Sequence, residues 1–423
     1  DDNTLACIKY GFDLVHSSMA RGIFVSFPKE IIYEPNIKKS LNDAIRSSLS
    51  KKETRLITRP DSTNCRIHSC SSVTKNNTSE KRLTKNMSAP YDLTDLSSGK
   101  PIALNTVARL VRGVRDKLKF WWLMQMDFQN NAAVTVYTSA CVRQHHPELA
   151  LEFTPHIFAT DAAAYYDIFR LLNESEDMVS SWSTLLDRLM IAKNITPGFG
   201  ASDVPDICQA AANIRCSEAA IMYLIWIESI IFLAEEGEKT AQIIAPTTYI
   251  EIYRRRKMMH NDDGKQWAIA LYEAYVDDTA SHHLSWSMAI AMYLIGTYVD
   301  ACNEVDQSWH KLAFGRMGDH LGLYHDMPKG FIKLTASSLQ FLKRWYVRAM
   351  NAEWIEWVEL ESILSKLQHK LALVPESQHL LLRAYRWMSN GSAWNRDQHG
   401  RVVAPAQPFW KTDVVIGVVY ALT

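Results

Sequence analysis

Tryptophan is missing from the first 120 residues of this 423-residue chain, and no aromatic residue stands between Tyr33 and Tyr91. A stretch so poor in large apolar groups buries little surface against the entropy of ordering it. Ser, Thr, Asn and Lys crowd the same region, as in Ser47-Ser48-Leu49-Ser50-Lys51-Lys52 and Lys75-Asn76-Asn77-Thr78-Ser79. Residues 1–86 are therefore expected to be a basic, largely disordered extension whose deletion leaves the remainder folded. Met87-Ser88-Ala89-Pro90 reads like the start of a chain, which would make residues 1–86 upstream sequence. A genuine basic arm is the other reading.

Other absences exclude particular chemistries. No GxxxxGK[ST] phosphate loop, GxSxG nucleophile elbow, HExxH zinc helix or CxxC pair occurs, and no cofactor is predicted. The seven cysteines are odd in number and irregularly spaced, a pattern of reduced thiols in an intracellular protein and not of a disulfide framework. The longest uncharged apolar run, residues 284–299, is shorter than the roughly 20 residues a membrane helix needs. It reads as a core helix, and no membrane partner is expected.

What is present is helical periodicity and a skewed charge distribution. Basic and acidic residues balance at 46 each, yet residues 1–86 carry 15 Lys/Arg against 9 Asp/Glu. All 13 tryptophans fall between Trp121 and Trp410. Two short strands are predicted in the extension, at residues 5–8 and 22–27. Beyond it, Asn105 or Thr106 caps a helix running to about Met126, followed by a turn at Gln129-Asn130-Asn131 and a β-branched strand over residues 132–137. Helices are predicted from Thr160-Asp161, over 178–193, and over 206–234 with its middle buried on all sides. More are predicted over 247–259, 265–279, 284–300, 303–314, 335–350, 351–370 and 376–388. Gly315, Gly318, Gly322 and Gly330 mark a loop region, and residues 413–422 read as a strand. The expected fold class is mainly α: one large helical domain over 87–423 with a few peripheral strands.

Few residues stand out as chemistry. Asp262-Asp263-Gly264 suits a turn before a helix N-terminus. Asp277-Asp278 invites comparison with the aspartate-rich magnesium helix of terpene synthases, but Ser281 stands where a third carboxylate belongs. On a continuing helix Asp278 and His282 would share a face, with His283 adjacent, the best metal-like cluster in the chain. Polar residues at a junction between two helices are the simpler account, and no metal is predicted. His145-His146-Pro147 suits a surface loop. Two basic runs could meet a phosphate backbone: Arg109, Arg112, Arg115 and Lys119 along one helix face, and Arg254-Arg255-Arg256-Lys257. A solvated helix face accounts for either run as well.

Phe120-Trp121-Trp122, then residues 134–140, then Arg143-Gln144-His145-His146-Pro147 give the chain a likeness to a known group. With the helix-rich body over 87–423, it resembles the capsid proteins of small double-stranded RNA viruses, the partitivirus or plant cryptic virus group. The resemblance implies a helix-rich shell subunit that is not an enzyme, forms homodimers and a larger shell, encloses RNA, and is found in the virion and host cytoplasm. It carries over no individual functional residue. The alternatives are a nucleocapsid protein coating single-stranded RNA, and a helical metal-dependent enzyme of terpene-synthase type using Asp277, Asp278 and His282.

Overall fold

The computed structural model describes residues 23–25, 35–59, 65–74, 81–85, 93–94, 101–102, 117–163, 165–172, 180–197, 204–259, 272–351, 353–370, 381, 395–396 and 402–405. The first part holds β1 (Ile23–Val25), α1 (Pro35–Ser50), β2 (Thr54–Ile57), β3 (Cys65–His68), β4 (Cys70–Thr74) and β5 (Lys81–Lys85), then the short pair β6 (Leu93–Thr94) and β7 (Pro101–Ile102). The middle runs α2 (Lys117–His145), β8 (His156–Asp161), α3 (Tyr165–Ile168), β9 (Ser180–Ser183), β10 (Met190–Asn194), α4 (Val204–Glu235), α5 (Lys239–Ile244) and α6 (Thr247–Met259). The last part holds β11 (Glu273–Tyr275), β12 (Asp278–His283), α7 (Trp286–Cys302), β13 (Ala313–Gly315), β14 (Met317–His320), β15 (Leu323–Asp326), β16 (Phe331–Leu334), α8 (Ala336–Asn351), β17 (Trp354–Glu356), α9 (Trp357–Lys370), β18 (Asn395–Arg396) and β19 (Val402–Pro405).

This is a mixed α/β chain, which corrects the mainly α expectation. Its strands are not peripheral. A four-stranded sheet in the order β11-β12-β8-β13 lies at the centre, and every residue of β8 is buried. A strand buried on both faces shows no polar/apolar alternation and is confused with a helix segment by pattern alone. That is why Thr160-Asp161, expected to start a helix, ends a strand instead. Where a helix is expected over 178–193, the described residues from Ser180 onward form β9 and β10 around a short 3-10 turn. Part of the predicted 265–279 helix is the β11–β12 hairpin. The glycine-marked loop is a three-stranded antiparallel meander, β14-β15-β16. Its first turn, Leu321-Gly322, has φ of 50° and 74°, the paired positive φ of a type I′ hairpin.

The opposite correction applies to residues 132–137, which lie inside α2. Phe128, Ala132, Thr135, Ser139 and Val142 are all buried, and their steps of three and four mark one helix face. Burial of that face outweighs the β preference of Val134, Thr135 and Val136. α4 spans 32 residues, close to expectation, but its middle is not buried on all sides: Ile221 is 56% and Ile225 64% exposed. α6, α7 and α8 occupy the spans that periodicity indicates. The strands expected at residues 5–8 and 413–422 and most of the 376–388 helix lie outside the described residues.

The aromatic-poor extension is built into the structure where it is described. β1 and β3 run parallel, β3 joins β9, and β2 pairs with β10, giving a five-stranded sheet β1-β3-β9-β10-β2. Ile45 of α1 packs with Leu185 and Ala192, and Ile67 of β3 packs with Ile191. Aliphatic side chains do there what the missing aromatics would have done.

Behind the central sheet lies the main core. Phe158 stacks on Tyr272 at 5.9 Å and meets Tyr293 edge-on at 5.6 Å. α4 and α7 pack on this side, contributing Ala212, Cys216, Tyr223, Met288 and Met292.

Candidate metal centre

The β11–β12 hairpin is closed by two residues, because Tyr275 pairs with Asp278 and leaves Val276 and Asp277 as the turn. Val276 has φ of 60°, a conformation that costs a β-branched residue about 1–3 kcal/mol. Three hydrogen bonds hold it there. The Val276 amide donates to Gln209 Oε1 at 2.6 Å, Gln209 Nε2 donates to the Ala274 carbonyl at 2.9 Å, and the Ala162 amide donates to the Asp277 carbonyl at 2.9 Å. Gln209 is a buried residue of α4, so the long helix fixes the turn from behind.

β12 runs antiparallel to β8 with Asp278 opposite Asp161. Directly opposed residues share a face of the sheet. Together with Asp277 at the turn, they place three carboxylates with oxygens all within 4.8 Å of one another. Asp161 is buried and the other two half-buried. Lys311 Nζ stands 2.8 Å from Asp161 Oδ1, and the Ser308 amide donates to the Asp161 carbonyl at 2.7 Å. The loop after α7 thereby clamps the end of β8.

Behind this clamp, Thr160 donates to Gln307, whose amide donates to Asp300. Asp300 forms a buried ion pair with Arg215 at 3.1 Å, and the Arg215 guanidinium lies 5.2 Å from the Tyr165 ring centre. A broken buried pair leaves an uncompensated charge, so this network holds β8, α4 and α7 in one arrangement.

Three carboxylates this close repel one another. Burial, then the charges of Asp277 and Asp161, push Asp278 up to about 7, while Lys311 opposes the shift. A divalent cation relieves that repulsion. Magnesium takes hard oxygen ligands octahedrally, using one or two carboxylates and leaving positions for water and phosphate. Ligand oxygens on one such ion sit about 3–4 Å apart, so the donor set and its spacing fit Mg2+ or Mn2+.

A pH dependence follows. The folded, metal-free chain keeps on Asp278 a proton that the unfolded chain has released above about pH 4, so its stability falls as pH rises toward about 7. Cation binding requires the charged form. Mn2+ affinity measured by electron paramagnetic resonance should climb about tenfold per pH unit and level off near pH 7. A pH-independent affinity between pH 5 and 8 would remove Asp278 from the ligand set.

Of the sequence-derived candidates, two reach the centre and the others fall elsewhere. Asp277 and Asp278 belong to the centre, but on a hairpin and not a helix, and their partner is Asp161. His282 lies on strand β12, so the helical i,i+4 relation to Asp278 does not exist. Arg109, Arg112 and Arg115 lie outside the described residues, as does the side chain of Lys119 on α2. On α6, Arg254 pairs with Glu235 and Lys257 with Glu228. Arg255 is exposed and Arg256 half-buried. The missed residues are Asp161, Gln209 and Lys311. Tyr275-Val276-Asp277-Asp278-Thr279, a strand pattern broken by paired carboxylates, was the signal that could have revealed the hairpin.

No family model matches the sequence. No curated protein matches it either. Among solved structures, the chain is similar to a foamy viral protease-reverse transcriptase in complex with double-stranded DNA, at 11% identity and a TM-score of 0.45, covering 94% of this chain and 49% of that one. It is also similar to the foamy viral protein bound to an RNA/DNA hybrid, at 10% identity and TM-score 0.43, covering 96% and 39%. A third is an apo telomerase from Candida tropicalis, at 9% identity and TM-score 0.42, covering 90% and 67%. The chain thus spans about half the length of the foamy viral protein in the first of these structures. The resemblance implied a helix-rich shell subunit, whereas the chain is mixed α/β around a buried sheet, and the expectation of a non-enzymatic capsid protein, with its virion and packaging assignments, is corrected with it.

Proposed function

We propose that the chain is a divalent-cation-dependent nucleotidyltransferase that extends a nucleic-acid strand. The observation that carries this is the convergence of Asp161, Asp277 and Asp278 at the end of a central antiparallel sheet. Such carboxylate sets suit in-line displacement at phosphorus: Asp161, Asp277 and Asp278 would hold the divalent cations, which would supply positive charge for the attacking and leaving oxygens. The 3′ oxygen of the strand forms a bond to the α-phosphorus of a nucleoside triphosphate, the α–β phosphoanhydride bond breaks, and pyrophosphate departs.

Each residue has a part. The three carboxylates bind and space the cations. Lys311, beside Asp161, adds a positive charge suited to a triphosphate, which carries more charge than the single phosphodiester a nuclease attacks. Gln209 positions the Val276–Asp277 turn and touches no substrate. The nucleic-acid partner expected from the sequence becomes template and primer, not packaged cargo.

Primer extension with Mg2+ and the four nucleoside triphosphates tests this. Template-dependent lengthening supports it. Primer shortening without extension would indicate a nuclease and overturn it. Gln209→Leu provides a second check, because the buried Val276 amide and Ala274 carbonyl then lose their partner. Stability should drop by about 1–3 kcal/mol, and kcat should fall at least about tenfold with KM for the nucleotide little changed. An unchanged kcat would remove Gln209 from its positioning role.

A further inference from the structure

The ammonium beside the carboxylates stands on a weakly anchored segment. Lys311 ends a 3-10 turn, Trp309–Lys311, that contains no buried residue, and none of the side chains from Asp306 to Lys311 is buried. Just before it, Glu304 has φ of 55°, a left-handed conformation that disfavours a residue with a side chain. Backbone bonds lay the segment along the end of β8. The Ala163 amide donates to the Asp306 carbonyl at 2.7 Å, and the Lys311 amide donates to the Ser308 carbonyl at 2.7 Å. The side chain that ties the segment inward is Gln307, half-buried, which accepts from Thr160 Oγ1 and donates to Asp300 Oδ2.

We propose that Gln307, oriented by Asp300, is a positioning residue for Lys311 and so sets how tightly the centre holds the triphosphate of an incoming nucleotide. The inference rests on the nucleotidyl-transfer reading for that ligand. An ionised carboxylate can only accept hydrogen bonds. Asp300 is 2% exposed, and it gives Oδ1 to the Arg215 guanidinium at 3.1 Å and Oδ2 to Gln307. Its charge therefore dictates that the nitrogen of the Gln307 amide faces it, which leaves the amide oxygen for Thr160. Burial pushes Asp300 up to about 6, while Arg215 and then Tyr272 oppose the shift, so the carboxylate is mostly charged from about pH 7 upward. Charge-assisted bonds are roughly twice as strong as neutral ones, which suits one of them to holding an outward-facing segment. Without the chain from Asp300 through Gln307 to Thr160, the turn keeps its backbone bonds and loses its fixed angle. The Lys311 ammonium then no longer stays 2.8 Å from Asp161 Oδ1. Gln307 itself touches no substrate.

Affinity for the magnesium salt of a nucleoside triphosphate is measured by calorimetry on the full chain, with KM and kcat from primer extension beside it. Gln307→Leu keeps the buried Arg215–Asp300 pair. It should weaken triphosphate binding and raise KM on the order of tenfold, the worth of one charge-assisted bond. At saturating nucleotide kcat should stay within about threefold of the parent. Lys311→Gln should weaken binding as much or more, and Gln307→Leu should add nothing to it, because a residue that acts only through another has no effect once that other is gone. Melting curves report the stability of each variant separately. An exchange gives the second check and decides if Gln307→Leu fails to fold. Asp300→Asn should weaken binding, because one amide oxygen cannot serve both Arg215 and Gln307. Adding Gln307→Glu should restore it, because an acceptor again stands between position 300 and Thr160. Unchanged affinity in Gln307→Leu, additive losses when it is combined with Lys311→Gln, an exchange that restores nothing, or a parent without triphosphate affinity would overturn the proposal. Because the cycle is read from binding, a chain that binds the triphosphate and extends no primer loses the nucleotidyl-transfer reading and still decides this one.

Discussion

Asp277→Asn should abolish strand extension while leaving the protein folded. The asparagine side chain fits the same turn position, and the backbone bonds to Gln209 and Ala162 do not involve the lost oxygen. What disappears is one anionic ligand of a three-carboxylate set. Cation-assisted phosphoryl transfer draws several kcal/mol of transition-state stabilisation from such ligands, so the rate should fall on the order of 10³-fold. Thermal stability of the metal-free variant should rise or hold, because one of the charges facing Asp278 is gone. Circular dichroism and melting, measured beside primer extension, separate the two effects. Activity within tenfold of the parent would remove Asp277 from the centre.

Removing residues 1–86 should have an equally large effect on stability, contrary to what the missing aromatics suggest. β2 covers the edge of β10 through the pairs Ile57–Ile191, Leu56–Ala192, Arg55–Lys193 and Thr54–Asn194. The Ile195 amide also donates to the Glu53 carbonyl at 2.9 Å. Truncation uncovers both outer edges of the β9–β10 pair and loses the buried side chains of Leu41, Ile45 and Ile67. At about 1.5–3 kcal/mol for each buried aliphatic side chain, the loss is on the order of 5 kcal/mol or more, comparable with the whole stability of many domains. The truncated chain should lose its cooperative unfolding transition and aggregate through the exposed strand edges. A sharp transition within a few degrees of the parent would show that α1 and β2 are dispensable.

These two predictions mark where the sequence was legible. α6, α7 and α8 could be read directly, since each alternates buried and exposed positions at helical spacing over 11 or more residues. β8 could not. Ile157, Phe158, Ala159 and Thr160 are buried on both faces of the sheet, so the period-2 signal that marks a strand is absent. A helical reading of Asp277-Asp278 asks for a third carboxylate four positions on, where the chain has Ser281. The true partner, Asp161, lies 117 residues before Asp278 and is brought opposite it only by strand register. Gln209 was hidden for a related reason. A polar residue inside an apolar helix looks like an ordinary surface position until the helix is seen to pack behind a strained turn. The tryptophan boundary near residue 120 is real in composition, yet it does not divide the chain, because small aliphatic residues complete the five-stranded sheet across it.

The most direct measurement is diffraction from crystals soaked in Mn2+, with data collected for anomalous scattering. Manganese shares magnesium's preference for oxygen ligands. One or two strong anomalous peaks should stand among the carboxylates of Asp161, Asp277 and Asp278, and the Lys311 ammonium should remain beside the cluster. Manganese bound elsewhere with that cluster empty would contradict the assignment of this hairpin as the catalytic centre.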